Sequence, residues 1–151
     1  MDNISEHITY QEAIHNNHGF FNIPDAATLV KMKLVASKVF EPVRNFLNEP
    51  ITVNSFFRCA LLNKVVGGVS NSQHRTGEAI DMNHTGQNRK IFDYIRENLE
   101  WDQLIFEHGT HEEPAWVHCS YSEVNKNQVL RSVPGKDSNG KDITKYIPFI
   151  A

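Results

Sequence analysis

Cysteine is scarce in this 151-residue chain: Cys59 and Cys119 are the two it has, too few for a disulfide framework. Both read as small buried free thiols. No apolar run approaches the roughly 20 residues needed to span a bilayer. The start, Met1-Asp2-Asn3-Ile4-Ser5-Glu6-His7, lacks the basic and apolar regions of a secretory signal. The expectation is a soluble monomer made in the cytoplasm with no membrane partner, which leaves open release by lysis or carriage inside a larger particle. Basic charge is not in excess either. Fifteen Lys and Arg stand against 18 Asp and Glu, a formal net charge of -3, whereas nucleic-acid binding needs concentrated positive charge. That argues against a nucleic-acid partner and for a small, uncharged or anionic ligand. Internal repeats and low-complexity blocks are absent.

What is present suits one core. Hydrophobic residues make up 40% of the chain and nine are phenylalanine, enough to enclose a single domain over 1–151. Its expected parts are an arm over 1–24, a core over 25–125 and an extension over 126–151. In the arm, a short helix is expected from Tyr10 to Ile14, and His15 and His18 fall in an Asn-rich turn rather than in a metal site. After Pro24, Asp25 caps a helix whose Leu29, Met32, Val35, Val39, Val43 and Phe46 line one face. Pro42 should kink this helix or end its regular part, because it lacks the N–H and clashes with the preceding turn.

Residues 51–58 then read as a strand ending in Arg58, 59–66 as a short helix stopped by Gly67-Gly68, and 78–82 as a second strand. A further helix is expected over 87–99, followed by an antiparallel hairpin of strands at 101–107 and 115–121. The extension carries the turn signals Pro134-Gly135 and Asn139-Gly140, with room for a small hairpin, and its apolar end at 146–150 should be pinned to the domain. The class is α+β, a small antiparallel sheet flanked by helices.

The chemistry concentrates in Ser72-Gln73-His74-Arg75-Thr76-Gly77-Glu78-Ala79-Ile80-Asp81. His74 and Asp81 read as two ligands of a zinc ion, and a hydrolytic zinc site takes three protein ligands and leaves one position for water. Strand alternation puts Trp116, His118 and Ser120 on one face, so His118 can join Asp81. Two neutral imidazoles and one carboxylate leave the ion net positive, able to acidify water and polarise a carbonyl.

With Phe56-Phe57-Arg58, Leu62-Asn63, Gly67-Gly68, Asp102-Gln103-Leu104-Ile105 and Trp116-Val117-His118-Cys119-Ser120 added, the chain resembles the zinc D-alanyl-D-alanine peptidases of the M15 group over about 25–125. The likeness is specifically to the compact branch found in bacteria and as phage cell-wall lysins; the hedgehog signalling domain shares the zinc-site layout. The resemblance implies one zinc ion held by His74, Asp81 and His118, and hydrolysis of stem or cross-bridge peptides of peptidoglycan, as a carboxypeptidase or an endolysin-like endopeptidase. It implies that Arg58 steadies carbonyl or carboxylate charge, with Trp116 at the substrate. Ser72 and Gln73 either bond substrate or order the loop.

A general base is also required. Several members carry it three residues before the last ligand, where this chain has Ala115, and some use a histidine where this chain has Trp116. The hedgehog-like layout puts it at Glu107, the preferred candidate, with Glu112 and Glu113 as loop-borne alternatives and His108 and His111 as further cleft residues. The other reading is a zinc-containing peptide- or wall-binding domain without turnover.

Overall fold

The computed structural model describes residues 2–151. Six strands form one sheet in the order β1-β2-β4-β3-β5-β6: β1 Thr52–Ser55, β2 Ala79–Asn83, β3 Gln103–Glu107, β4 Trp116–Ser120, β5 Gln128–Lys136 and β6 Asp142–Pro148. Every pairing is antiparallel except β3 with β5, which runs parallel. The class is α+β as expected, and the parallel pair is the departure from the purely antiparallel sheet.

Strand alternation sorts the side chains. Ile80 and Met82 of β2, Val117 and Cys119 of β4, and Leu104 and Phe106 of β3 are fully buried on one face. They meet Met32, Val35, Val39 and Val43 from the long N-terminal helix and Ile91, Phe92 and Ile95 from the helix that precedes β3. Each such large side chain contributes about 1.5–3 kcal/mol on leaving water. The opposite face carries Asp81, His118 and Glu107, and is where the chemistry collects.

The long helix is built in three pieces: α2 Ala26–Val35, a π turn Ala36–Phe40, and α3 Glu41–Leu47. Asp25 caps it through Thr28 N–H at 2.8 Å. Pro42 does end the regular α-register, yet the helix does not stop. In the π turn the Glu41 N–H reaches back five residues to the Ala36 carbonyl, and Pro42 sits in the first turn of α3, where a missing N–H costs least. Of the expected apolar stripe, Phe46 is half-exposed and stacks on Tyr94 at 4.2 Å instead of entering the core.

The arm is part of the domain's interior. Its helix α1, Tyr10–Ile14, is closed by a capping box between Thr9 and Glu12, and Ile4, Ile8, Tyr10 and Ala13 are buried. His15 and His18 lie in the expected turn, with His15 Nε2 3.1 Å from Asn17 Oδ1. Buried Asn22 bonds the carbonyls of Ile14 and Phe57 and accepts the Cys59 N–H, splicing the arm to the segment that carries Arg58.

At the other end, Pro134 and Gly135 are not a turn but part of β5; the turn is at Asn139-Gly140. Proline is tolerated there because the pairing with β3 ends at Ser132, so the N–H side it lacks faces no partner strand. Phe149 docks between Phe92 and Phe106, with ring centroids 4.7 and 5.7 Å away, which pins the C-terminal segment to the core. Among the described residues, no helix is long and apolar enough to cross a membrane.

Candidate metal centre

His74 lies in a single 3-10 turn, Gln73–Thr76, opened by Ser72 and closed by Gly77 at φ +76°. Only a residue at ease in the left-handed region closes a turn this way, and a Cβ at position 77 would stand 2.9 Å from the Thr28 carbonyl oxygen and 2.7 Å from Met32 Cγ. The Arg58 N–H donates to the His74 carbonyl at 3.0 Å, fastening the turn to the strand-end segment beside it. Asp81 comes from β2 and His118 from β4, and the two are direct register partners. Their side chains therefore point to the same side, as alternation requires.

His74 Nδ1 lies 2.8 Å from the Phe56 carbonyl. A carbonyl can only accept, so Nδ1 carries the proton and Nε2 presents a lone pair. That lone pair faces Asp81 Oδ2 at 3.2 Å without forming a hydrogen bond. On the other side, His118 Nδ1 is 3.0 Å from Asp81 Oδ1, and His118 Nε2 is buried with no partner. Arg58 Nη2 lies 3.3 Å from Asp81 Oδ2, while its Nε donates to Ser55 Oγ at 2.9 Å. The ligand atoms of His74, Asp81 and His118 all lie within 4.8 Å of one another, and all three residues are buried.

The protonation states suit a cation. Burial pushes the His74 imidazole below its ordinary range, against the pull of Asp81, so it is neutral. Burial alone would raise Asp81, but the adjacent His74 and His118, with the hydrogen bond from His118, outweigh it and hold the carboxyl well below the usual carboxylate range. A neutral imidazole whose lone pair meets a carboxylate oxygen is unfavourable in a protein interior unless a positive ion lies between them. The nitrogen and oxygen donors match zinc. A second grouping, Glu6, His7 and Glu41, is more exposed, and its members already bond each other through His7 and Glu41 at 2.7 Å.

The triplet opens into a cleft of about 1050 Å³. Ser72, Gln73, Arg58, Glu107, His108 and Trp116 line it together with the triplet. Ser72 and Gln73 both order the loop: Ser72 Oγ accepts the His74 N–H at 3.3 Å, and the Gln73 amide donates to Asp102 at 2.9 Å. Glu107 is buried, and that burial raises its carboxyl above the ordinary range against the lowering effect of a hydrogen bond from Ser132.

The loop-borne alternatives are engaged elsewhere. Glu113 takes the N–H groups of Asn88 and Arg89 at 2.8 and 3.1 Å, which caps helix α5, Asn88–Asn98, where a carboxylate is favoured. Glu112 and His111 are exposed and do not line the cleft.

One cleft residue comes from outside the motifs: Tyr146 of β6 lines the cleft, and its register partner on β5 is the buried Ser132, which in turn pairs with Glu107. Burial raises the Tyr146 phenol, and the carboxylates of Glu107 and Asp81 add to this. The alternation Leu130-Arg131-Ser132-Val133 was the available signal, hidden by the proline and glycine that follow.

A buried His-Asp-His triplet at the floor of an open cleft in an α+β domain is a donor set able to hold a single metal ion. The family model described as Peptidase M15 matches residues 6–120, more than half of the chain, and the chain belongs to the peptidase M15 family. It is accordingly a metallopeptidase, and the match takes in most of the N-terminal arm. No curated protein sequence matches the chain.

Proposed function

We propose that the chain is a zinc-dependent peptidase that hydrolyses peptide bonds of bacterial peptidoglycan, as a D-alanyl-D-alanine carboxypeptidase or an endolysin-type endopeptidase acting on the wall after phage-driven release. The observation that carries the reading is the buried lone-pair confrontation of His74 and Asp81, completed by His118, in a cleft that also holds Glu107. Zinc held by these three side chains would supply an acidified water and a polarised carbonyl.

The remaining work falls to the chain's own groups. Glu107 takes a proton from water as the water oxygen adds to the peptide carbonyl carbon. When the C–N bond breaks it passes that proton to the departing nitrogen, so the products are one carboxylate and one amine. A carboxyl raised by burial is suited to both halves of this transfer.

Arg58 holds positive charge at the edge of the triplet, where it can meet a substrate carboxylate or the charge that develops on the carbonyl oxygen. Trp116, half-buried and 5.4 Å from the His108 ring, offers a flat apolar wall to the peptide. The polar loop at Ser72 and Gln73 forms the opposite rim.

The test is to incubate zinc-loaded protein with purified peptidoglycan and with stem peptides, and to assay new amino groups. Turnover that Glu107→Ala abolishes while zinc stays bound supports the enzyme. Zinc bound with no cleavage of any wall peptide would replace it with a non-catalytic wall- or peptide-binding module.

A further inference from the structure

The M15 match ends at residue 120, yet the sheet continues. Hairpin β5–β6, residues 128–148, adds two strands beyond it. Its attachment is the parallel pairing of β5 with β3, whose last register pair is Glu107 with Ser132. In a parallel pair such partners project to the same face, so the hairpin delivers a hydroxyl beside the buried carboxylate. Ser132 is 1% exposed.

Its Oγ donates to Glu107 Oε2 at 2.5 Å and accepts the His108 N–H at 3.0 Å. A serine hydroxyl has one proton to give. With the backbone N–H occupying an acceptor position, that proton is directed at Glu107. No other protein group hydrogen-bonds this carboxylate among the described residues, which leaves Oε1 for water. The chain also turns sharply here: His108 adopts φ 50°, a left-handed conformation that costs a non-glycine residue energy and that brings its N–H onto Ser132.

We infer that the C-terminal hairpin is part of the reaction centre and that Ser132 is a positioning residue which fixes the Glu107 carboxylate with one oxygen tethered and the other free. The inference rests on the reading of Glu107 as the base. Its physical content is separable: a rotating carboxylate would reach the reacting water in only part of its conformations, and removing one hydrogen bond to a charged group is worth tenfold or more. Ser132 does not touch substrate. It acts through Glu107.

The experiment compares Ser132→Ala, Ser132→Thr, Glu107→Ala and the Ser132→Ala/Glu107→Ala pair, in full-length protein. The expected result for Ser132→Ala is a kcat lowered about tenfold with KM within about twofold and zinc content unchanged. Ser132→Thr, which keeps the hydroxyl, should restore most of the loss.

Urea unfolding of the metal-free proteins supplies a readout independent of turnover. Ser132→Ala should lower the midpoint clearly more in the parent than in the Glu107→Ala background, where only the bond from the His108 N–H is left to lose. Additive midpoints, or an unchanged kcat in Ser132→Ala where Glu107→Ala abolishes turnover, would overturn the inference and leave the base assignment standing. Full turnover in Glu107→Ala would instead refute the base assignment, while the midpoints still decide whether Ser132 holds that carboxylate. Should Ser132→Ala not fold, Ser132→Cys, similar in size but a weak donor, gives the same comparison.

Discussion

Replacing Gly77 by alanine should damage the metal centre from a distance, and the structure sets the size of the effect. Gly77 has φ +76°, and forcing an L-residue into that region costs about 1–2 kcal/mol. The added Cβ would lie 2.8 Å from Thr28 Cγ2 and 2.9 Å from the Thr28 carbonyl oxygen, a backbone atom of α2 that cannot swing aside. Overpacking of this kind costs a further 1–3 kcal/mol or so. Against this, alanine restricts the unfolded chain and returns about 0.4–1 kcal/mol. The net expectation is a loss of about 2–4 kcal/mol, and at this chain length each kcal/mol is worth about 2–4 °C in Tm.

Gly86 is the control. It has φ +80° but nothing within 4 Å of the position its Cβ would take, so Gly86→Ala should cost only about 1 kcal/mol. Because the Gly77 N–H also bonds the His74 carbonyl at 3.4 Å, relief of the clash must move the turn that carries His74. Zinc affinity should then fall about tenfold or more, the order seen when groups that orient a ligand are lost. Urea unfolding of the metal-free variants and chelator competition measure the two effects. If Gly77→Ala matches Gly86→Ala within about 0.5 kcal/mol and binds zinc like the parent, the claim that Gly77 braces the His74 turn is wrong.

Other outcomes follow from the same geometry. Zinc at about a hundred times its Kd should add about 2.7 kcal/mol to the unfolding free energy; His74→Ala should abolish that increment, as read by thermal unfolding with and without chelator. Glu113→Ala should cost about 0.5–2 kcal/mol through loss of the α5 cap while leaving kcat unchanged; a large fall in kcat would mean that Glu113 does chemistry. Glu41 is held below the ordinary carboxyl range: burial opposes this, and the hydrogen bonds from the His7 N–H and ring outweigh it. Its contribution is therefore present above the unfolded value near 4.5 and lost as pH falls through the folded one. Glu41→Gln should be less stable than the parent at pH 7, by under about 1 kcal/mol for so accessible a pair, and the gap should close in acid. Burial pushes the Cys119 thiol far up, so iodoacetamide should modify Cys59 in the native protein and reach Cys119 only after denaturation, as peptide mapping will show.

The triplet was legible in the sequence because local rules govern it. Asp81 and His118 each sit at a strand position whose parity follows from their immediate neighbours, and Gly77 announces the turn between His74 and Asp81. Most helix and strand positions followed from periodicity for the same reason. What escaped depends on partners distant in sequence. Nothing within residues 128–136 says that this strand will lie parallel to β3, and Pro134-Gly135 argues locally for a turn. The tether from Ser132 to Glu107 was hidden with it. Glu113 likewise reads as a loop carboxylate until the N-terminus of α5 arrives beneath it.

The π turn at Ala36–Phe40 has an evolutionary consequence. Such a turn is what a regular helix becomes when it absorbs one additional residue. The bulge takes up the rotation of that residue, so a single deletion there would restore the i→i+4 ladder and leave Val43 in the core and Glu41 beside His7. A deletion elsewhere in the helix would instead rotate everything downstream by about 100°, carrying Val43 out of the core and unfastening Glu41 from the start of the arm. The turn is thus a stretch between Asp25 and Asn48 where chain length can change by a residue while the helix still meets both of its surfaces, the sheet and the arm.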